Sequence, residues 1–300
     1  FNVETRSFTN LAYMNALPLV RLCLTKQLPL WLFLLFVLGA CKRSTEGFDT
    51  LQPDELLPLA EGKYITYRLD SLVFINSGKL AVTNRYQVRH VVEGKTTDNL
   101  NRPTWRISTY YNDSTASGLW VLRGSYFITP LDKRVEVIEN NLRVVKIQLP
   151  VKEGFTWKGN SHLPDRPYSD IYATSIDENM DLWDFTYETV NQPETIGTLS
   201  VPDVTTILHI DESRNVPMTT DTIYASREYS IEKYAKNIGL VYREHVLWEN
   251  QPRQRTIGTP PNLVTTYERV GGGCGVKLWM CYGRERVLVG HTRAQTHTHA

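Results

Sequence analysis

Apolar and polar side chains alternate with a two-residue period along most of the chain from residue 63 onward. The clearest example is the pair of segments Ile65–Ile75 and Leu80–Val92, which are separated by Asn76-Ser77-Gly78. Successive side chains of a strand point to opposite faces, so this pattern is typical of half-buried strands. The Asn-Ser-Gly step between them predicts a hairpin turn.

Ten further segments have the same character, and Gly, Asn, Asp and Pro cluster between them. They are Trp105–Tyr111, Leu119–Thr129, Arg134–Glu139, Leu142–Leu149, Tyr168–Ile176, Trp183–Val190, Val204–Ile210, Thr222–Tyr234, Leu240–Trp248 and Val264–Val270. No segment sustains a helical stripe. We therefore predict an all-β, antiparallel domain of about a dozen strands over residues 63–280, a strongly curved sheet or barrel-like domain rather than a flat sandwich.

A barrel that spans the outer membrane fits less well. Its lipid-facing side requires an unbroken apolar band. Arg85, Arg89 and Glu93 occupy the outward positions of a strong strand instead.

The N-terminal residues have the features of a secretory signal peptide. Arg21 and Lys26 precede a 13-residue apolar run, Leu28–Ala40. A transmembrane helix, the rival interpretation, needs about 20 apolar residues, and this run is shorter and contains Pro29. We therefore predict a signal peptide at residues 1–40, with residues 1–13 as an upstream extension before Met14.

Leu38-Gly39-Ala40-Cys41 resembles the lipobox of bacterial lipoproteins. The resemblance implies that the signal is cut before Cys41 and that the Cys41 sulfur carries a diacyl membrane anchor. Two chains suffice for stable attachment, because each buried methylene contributes about 0.8 kcal/mol. Residues 41–62 are then the lipidated cysteine and a tether, and residues 281–300 form a disordered tail.

Three stretches resemble uncharacterised Gram-negative envelope lipoproteins: Gly62–Ser71, Gln148–Asn160 and Tyr234–Glu244. The resemblance covers about residues 41–280, and it implies no activity. Within the last stretch, Asn237-Ile238-Gly239 predicts a tight connection between two strands, with Gly239 at a positive φ.

The balance of charge argues against a protein that binds nucleic acid. Without residues 1–40, 30 basic and 31 acidic residues remain, a net charge of −1. No excess of positive charge attracts nucleic acid.

Cys274 and Cys281 are seven residues apart and would pair only across a turn. The glycines of Gly271–Gly275 read as a flexible joint, since no Gly-Lys-Ser/Thr follows.

One segment superficially follows the calcium loop of an EF-hand. Asp177, Asp181 and Glu188 supply oxygens at suitable intervals. Leu182 stands where the sharp turn requires glycine, however, and Trp183, Phe185 and Tyr187 alternate as on a strand. We predict a strand after a hairpin turn and no metal site.

The histidines are the remaining candidates for catalysis. His209 shares a strand face with Asp211, and His162 lies near Asp165 and Asp170. Such pairs can orient an imidazole as a base, but no nucleophile motif accompanies them.

The other histidines give weaker signals. His90 reads as a core histidine bonded to a neighbour. His291, His297 and His299 in the tail have no closed set of metal ligands around them.

These observations predict an outer-membrane lipoprotein on the periplasmic face, held by lipid on Cys41. Its β domain is expected to be a non-catalytic binding or structural module with no cofactor, and its partner an envelope protein or an apolar ligand. The alternative is a periplasmic carrier of an apolar ligand or lipid, and the third hypothesis is an envelope hydrolase. A cavity inside the sheet favours the carrier, and titratable groups clustered in that cavity favour the hydrolase.

Overall fold

The computed structural model describes residues 51–76, 79–169, 176–217, 222–259, 262–280 and 290–291. A short helix, α1 (Pro53–Leu56), begins this part, and a 3-10 helix covers Met180–Leu182. The strands are β1 (Lys63–Ile75), β2 (Leu80–Thr97), β3 (Pro103–Asp113), β4 (Val121–Leu131), β5 (Arg134–Glu139), β6 (Leu142–Gln148), β7 (Thr156–Trp157), β8 (Phe185–Ile196), β9 (Leu199–Arg214), β10 (Ala225–Ala235), β11 (Gly239–Thr259), β12 (Asn262–Met280) and β13 (Gly290–His291). The all-β prediction is confirmed.

The strands form two antiparallel meanders that meet in the middle of one sheet. Strands β1 to β6 pair in chain order, and strands β7 to β12 do the same. The pairing of β1 with β12 joins the two meanders, and β13 also pairs with β1. The path therefore runs β6-β5-β4-β3-β2-β1-β12-β11-β10-β9-β8-β7. Its twelve strands agree with the predicted dozen.

The sheet is curled, but it does not close into a barrel. Its path ends at β6 and β7, and among the described residues no ladder joins these two strands. Single contacts connect them: the Val145 amide donates to the Gly159 carbonyl at 2.8 Å, and Trp157 Nε1 donates to the Val145 carbonyl at 2.9 Å. These contacts bring the two ends of the sheet path together.

An aromatic cluster dominates the main core. Phe185 and Tyr187 on β8 are 1% and 0% exposed, as their alternation predicts. The Trp157 ring lies 5.8 Å from the Phe185 ring and 4.8 Å from the Tyr187 ring, centroid to centroid. A Cβ at Gly159 would come within 2.4 Å of the Phe185 ring, so the close packing of this ring requires glycine at that position.

The described end of the segment predicted as a tether packs onto the sheet. Leu51 and Leu56 are 4% and 0% exposed and belong to the main core. The carbonyl of Glu55 accepts a hydrogen bond from the Asn237 amide at 2.6 Å, and the Glu55 carboxylate lies 2.9 Å from Lys236 Nζ. Helix α1 is therefore fixed against the turn between β10 and β11.

That turn has the predicted form. Strand β10 ends at Ala235 and β11 begins at Gly239. Asn237 has a φ of 61° and Gly239 a φ of 118°. Both lie in the left-handed region, which favours Gly and Asn.

Two predictions about elements are wrong. Gly271–Gly275 is no joint, because it lies inside β12 and pairs with residues 246–250 of β11. A Cβ at Gly275 would come 3.0 Å from Leu72 Cβ, so this glycine permits close approach of a side chain on the paired strand. The strand predicted at 168–176 is wrong at both ends, where Tyr168 and Ile176 lie in turns; residues 170–175 are outside the described residues.

Candidate functional site

A cavity of about 410 Å³ lies between the two meanders, on the concave face of the sheet. This volume is in the range of small-molecule sites, about 300–1,000 Å³. One part of its wall is apolar and aromatic: Leu69, Val88, Val144, Leu163, Met180, Trp183 and Phe185. Another part is polar and charged: Glu139, Lys146, His209, Ser230, Glu232, Arg243 and His245.

Two of the polar residues are placed by β-bulges. Along β5 and β6, Val135 pairs with Ile147 and Glu136 with Val145, so the pairing skips Lys146. Along β9 and β10, Ser230 pairs with Ile210 and Ile231 with Leu208. This second bulge leaves His209 as the extra residue. A bulge locally redirects a side chain, and here both residues reach the cavity.

Four of the remaining polar residues come from regular pairing of β10 with β11, and the fifth, Glu139, is the last residue of β5. Ser230 stands opposite His245, and Glu232 stands opposite Arg243. Residues two apart on a strand share a face. The two cross-strand pairs therefore lie side by side on the cavity wall.

The carboxylate of Glu232 is the centre of the charged group, and it is 1% exposed. Its Oε1 accepts hydrogen bonds from Lys146 Nζ at 2.8 Å and Arg243 Nε at 2.7 Å. Its Oε2 accepts one from the Tyr234 hydroxyl at 2.7 Å. Lys146 belongs to the first meander and the other three residues to the second, so this carboxylate links the two halves of the sheet.

The surroundings of Glu232 set the protonation of the group. Although burial alone raises the pKa of a carboxyl, the Lys146 and Arg243 charges hold the pKa of Glu232 well below its usual value. Burial lowers the pKa of Lys146, and the Glu232 charge opposes that effect. Burial also raises the pKa of Tyr234 well above 10.0. At neutral pH, Glu232 is therefore an anion and Tyr234 a neutral donor.

Ser230 connects two imidazoles. Its Oγ lies 2.9 Å from His209 Nδ1 and 3.1 Å from His245 Nδ1. A hydroxyl carries one hydrogen, so Ser230 donates to at most one of these rings, and the other ring must donate its own Nδ1–H. At least one Nε2 is consequently a bare lone pair.

The position of Glu232 indicates which ring has the bare nitrogen. His209 Nε2 lies 3.7 Å from Glu232 Oε2. A hydrogen on that nitrogen is attracted by the carboxylate, whereas a lone pair is repelled. We therefore assign Nε2–H to His209 and Nδ1–H to His245, which leaves Nε2 of His245 as an acceptor. Both Nε2 atoms are buried and have no hydrogen-bond partner among the described residues.

Both imidazoles are neutral at neutral pH. Burial, together with the charges of Lys146 and Arg243, lowers the pKa of His245 to about 4. Burial and the Lys146 charge lower the pKa of His209 well below 6.5. The His209 ring also stacks on Phe185, with 3.8 Å between ring centroids.

Ser230, His209 and Glu232 share the order of a nucleophile, base and carboxylate. Their chemistry is unfavourable for that role. The low pKa of His209 makes it a weak base, and efficient general bases have a pKa near the working pH. The charge of Glu232 is already neutralised by Lys146 and Arg243. The arrangement is better suited to binding a ligand than to removing a proton from Ser230.

The predicted histidine pairs are not assembled as expected. His209 bonds Ser230, whereas Asp211 forms an ion pair with Arg227. His162 and Asp165 are exposed, and Asp170 lies outside the described residues.

His90 agrees better with its prediction. It is half-buried, and its Nδ1 lies 3.1 Å from the Tyr126 hydroxyl. Its ring also lies 4.8 Å from the Tyr67 ring.

The calcium-like segment folds as a turn followed by the 3-10 helix. Asp177 is 1% exposed, and its Oδ2 accepts the Tyr168 amide at 2.8 Å. Among the described residues, no group of three or more His, Cys, Asp or Glu side chains is placed to hold a metal ion.

The remaining predicted sites are not described. Cys41, the predicted lipid site, and Cys281 lie outside the described residues, as do His297 and His299. Only the backbone is described for Cys274 and His291.

Sequence reasoning did not find Lys146, Ser230, Glu232, Arg243 and His245. The available signal was the polar series on β10, where Ser230 and Glu232 are two residues apart in a strand with a buried face. A polar residue at a buried position needs a partner, and this requirement points to the facing strand.

Comparison of the chain with protein-family models, with curated proteins and with solved structures gives no match. In the part of the chain that the structure describes, no helix has the length and apolar character to cross a bilayer.

Proposed function

We propose that this chain is a lipid-anchored lipoprotein of the outer membrane whose β domain binds a small ligand in the cavity between the two meanders. The observation that carries the proposal is this cavity, whose wall includes His209 and His245; the Nε2 atoms of both rings are buried and have no hydrogen-bond partner among the described residues. An unsatisfied buried polar atom costs about 1–3 kcal/mol. A ligand that pairs with either nitrogen recovers part of that cost.

The wall of the cavity supports binding rather than a purely structural role. The cavity of about 410 Å³ is partly open to solvent and has Trp183 and Phe185 in its wall, so a small molecule can enter it and bury apolar surface there. The charged groups next to it distinguish the site from a carrier pocket for a fully apolar molecule.

The sequence motif around Cys41 supports the proposed location at the membrane. It follows a short apolar run and small residues, as the cleavage site of a secretory signal does. Lys42 follows it, and no acidic run does. This agrees with a lipid-anchored protein on the periplasmic face.

Fluorescence of N-phenylnaphthylamine, an uncharged probe that brightens in apolar surroundings, tests the proposal. The chain from residue 42 onward is suitable, because Thr50–Ala300 is one compact unit and every buried apolar residue of the described structure lies between Leu51 and Leu247. A cooperative urea melt establishes first that this chain is folded. We expect saturable binding of the probe at one site.

Val144→Phe should place a larger side chain in the cavity and weaken binding by about tenfold, or roughly 1.4 kcal/mol. Ile257→Phe is the matched control, because Ile257 is 51% exposed and lies on the distal part of β11. Equal binding by wild type and Val144→Phe, or no saturable binding, contradicts the proposal.

A further inference from the structure

The charged side chains around the cavity cancel one another. Lys146 and Arg243 are the two cations of the described wall, and Glu232 and Glu139 are the two carboxylates. Arg243 lies 2.7 Å from Glu232 and 3.5 Å from Glu139. The three histidines of the wall, His90, His209 and His245, are neutral, because burial lowers the pKa of each. The wall therefore has no net formal charge before a ligand enters.

This balance disfavours a charged ligand. An anion would compete with Glu232 for Lys146 and Arg243, both of which already bond that carboxylate. A cation would find its carboxylate partners occupied. Burying a charge without a partner costs far more than burying an uncharged polar group.

The hydrogen bonds define what the ligand must offer. Nε2 of His245 is assigned as a bare lone pair, and it has no donor among the described residues. A hydroxyl or amide N–H supplies the missing hydrogen. A hydroxyl or an amide carbonyl also accepts from Nε2–H of His209, which likewise lacks a partner within hydrogen-bond distance.

The rest of the wall defines the body of the ligand. Met180, Trp183 and Phe185 present a thioether and two aromatic rings, and Leu163 and Val144 add aliphatic surface. Each square ångström of apolar surface removed from water contributes about 25 cal/mol. An apolar chain or ring beside the polar end therefore gains affinity here.

We infer that the cavity takes an uncharged amphiphile whose polar end is a hydrogen-bond donor, such as an alcohol or a primary amide, with Nε2 of His245 as the acceptor. This inference rests on the proposed function, since it assigns a ligand class to the same cavity. The donor meets His245, and the apolar body lies against Trp183 and Phe185.

Displacement of bound N-phenylnaphthylamine by four probes of equal chain length tests the inference at neutral pH. The probes are decanol, decanoate, decylammonium and decyl methyl ether. Decanol should displace the fluorophore at a concentration at least about tenfold lower than each of the other three. The ether matters most, because it keeps the oxygen and the chain and has a methyl group in place of the hydroxyl hydrogen, so it accepts a hydrogen bond but cannot donate one.

His245→Phe provides the second arm, because it keeps a ring and removes the acceptor. In this variant decanol should lose its advantage over decyl methyl ether, and near-ultraviolet circular dichroism checks that the fold is kept. If the variant does not fold, the comparison of decanol with the ether in wild type still decides the matter.

Each outcome separates the inference from the proposed function. Decanoate or decylammonium binding as well as decanol overturns the uncharged class, and the ether binding as well as decanol overturns the donor. If the fluorophore binds and none of the four probes displaces it, the ligand class is wrong while the proposed function stands. If the fluorophore does not bind at all, the proposed function itself fails.

Discussion

At the scale of single residues, Glu232 has an unusual position because it is bonded from both meanders at once. Lys146 reaches it from β6, at one end of the sheet path, and Arg243 and Tyr234 reach it from β11 and β10. A buried ion pair adds little over a well-packed apolar pair, yet removing one partner is costly because the other charge stays buried. Glu232 thus keeps two cations compensated.

Replacing this carboxylate therefore tests the ionic group directly. Glu232→Gln leaves Lys146 and Arg243 buried without their shared anion, so we expect the free energy of unfolding to fall by about 3–5 kcal/mol in urea melts. Glu139→Gln is the control, because the Glu139 side chain is 47% exposed, and it should change stability by less than about 1 kcal/mol. A neutral effect of Glu232→Gln would mean that solvent reaches the two cations.

Protonation of His245 makes the free energy of unfolding depend on pH. Burial, with the charges of Lys146 on β6 and Arg243 on β11, lowers its pKa from 6.5 to about 4, while Glu232 on β10 raises it. The unfolded chain therefore binds the proton first as the pH falls. The stabilising contribution is complete above pH 6.5 and is lost as the pH falls to about 4.

The expected measurement is a series of urea melts across that interval. Because His245→Gln cannot titrate, its stability should fall less steeply than that of wild type between the two pKa values. His162→Gln serves as the control, since His162 is exposed. Parallel pH profiles for wild type and His245→Gln would show that His245 takes up its proton as readily in the folded protein as in the unfolded chain.

At the scale of elements, the β10–β11 turn requires glycine at position 239 because of its backbone conformation and not because a side chain lacks space. A Cβ at Gly239 would meet Ile65 Cδ1 at 3.5 Å, an ordinary contact. Its φ of 118° is what excludes other residues. Gly239→Val should therefore cost about 1–3 kcal/mol in urea melts, and Asn237→Ser should cost less. A wild-type midpoint for Gly239→Val would show that the turn adopts another conformation without loss.

The two-residue period predicts most strands but not the bulges between them. On β11 the pattern places Leu240 and Trp248 on one face. The pairing with β10 skips Val241, so the parity changes, and Leu247 is 1% exposed while Trp248 is only half-buried. Nothing in the alternation of a single strand marks the extra residue of a bulge.

The same limit explains why the candidate site was not predicted. Two of its residues, Lys146 and His209, are the extra residues of bulges. Lys146 and Glu232 are 86 positions apart, and their contact depends on the curl of the whole sheet. His209 was identified as a candidate from its type and strand, but its partner is Ser230 on the next strand and not Asp211 on its own.

At the scale of the whole molecule, we expect the fold and the predicted anchor to be separable. The compact unit begins at Thr50, and the predicted lipid site is Cys41, before it. The two meanders meet at β1 and β12, so the strand that follows the predicted anchor in the sequence, β1, is in the middle of the sheet. Loss of the lipid should therefore change where the protein is found and leave the β domain folded.

Cys41→Ser tests this separation in cells of a Gram-negative host. Diacylation requires the thiol, so the variant should remain as an uncleaved precursor that takes up no labelled fatty acid, while wild type is processed and fractionates with the outer membrane. Cys274→Ser is the matched control, because it removes a cysteine at a distance from the signal and should leave processing and labelling unchanged. A processed, lipid-labelled Cys41→Ser protein in the membrane fraction would contradict the assignment of the anchor. The cavity between the meanders would then have to be interpreted for a protein with a different cellular location.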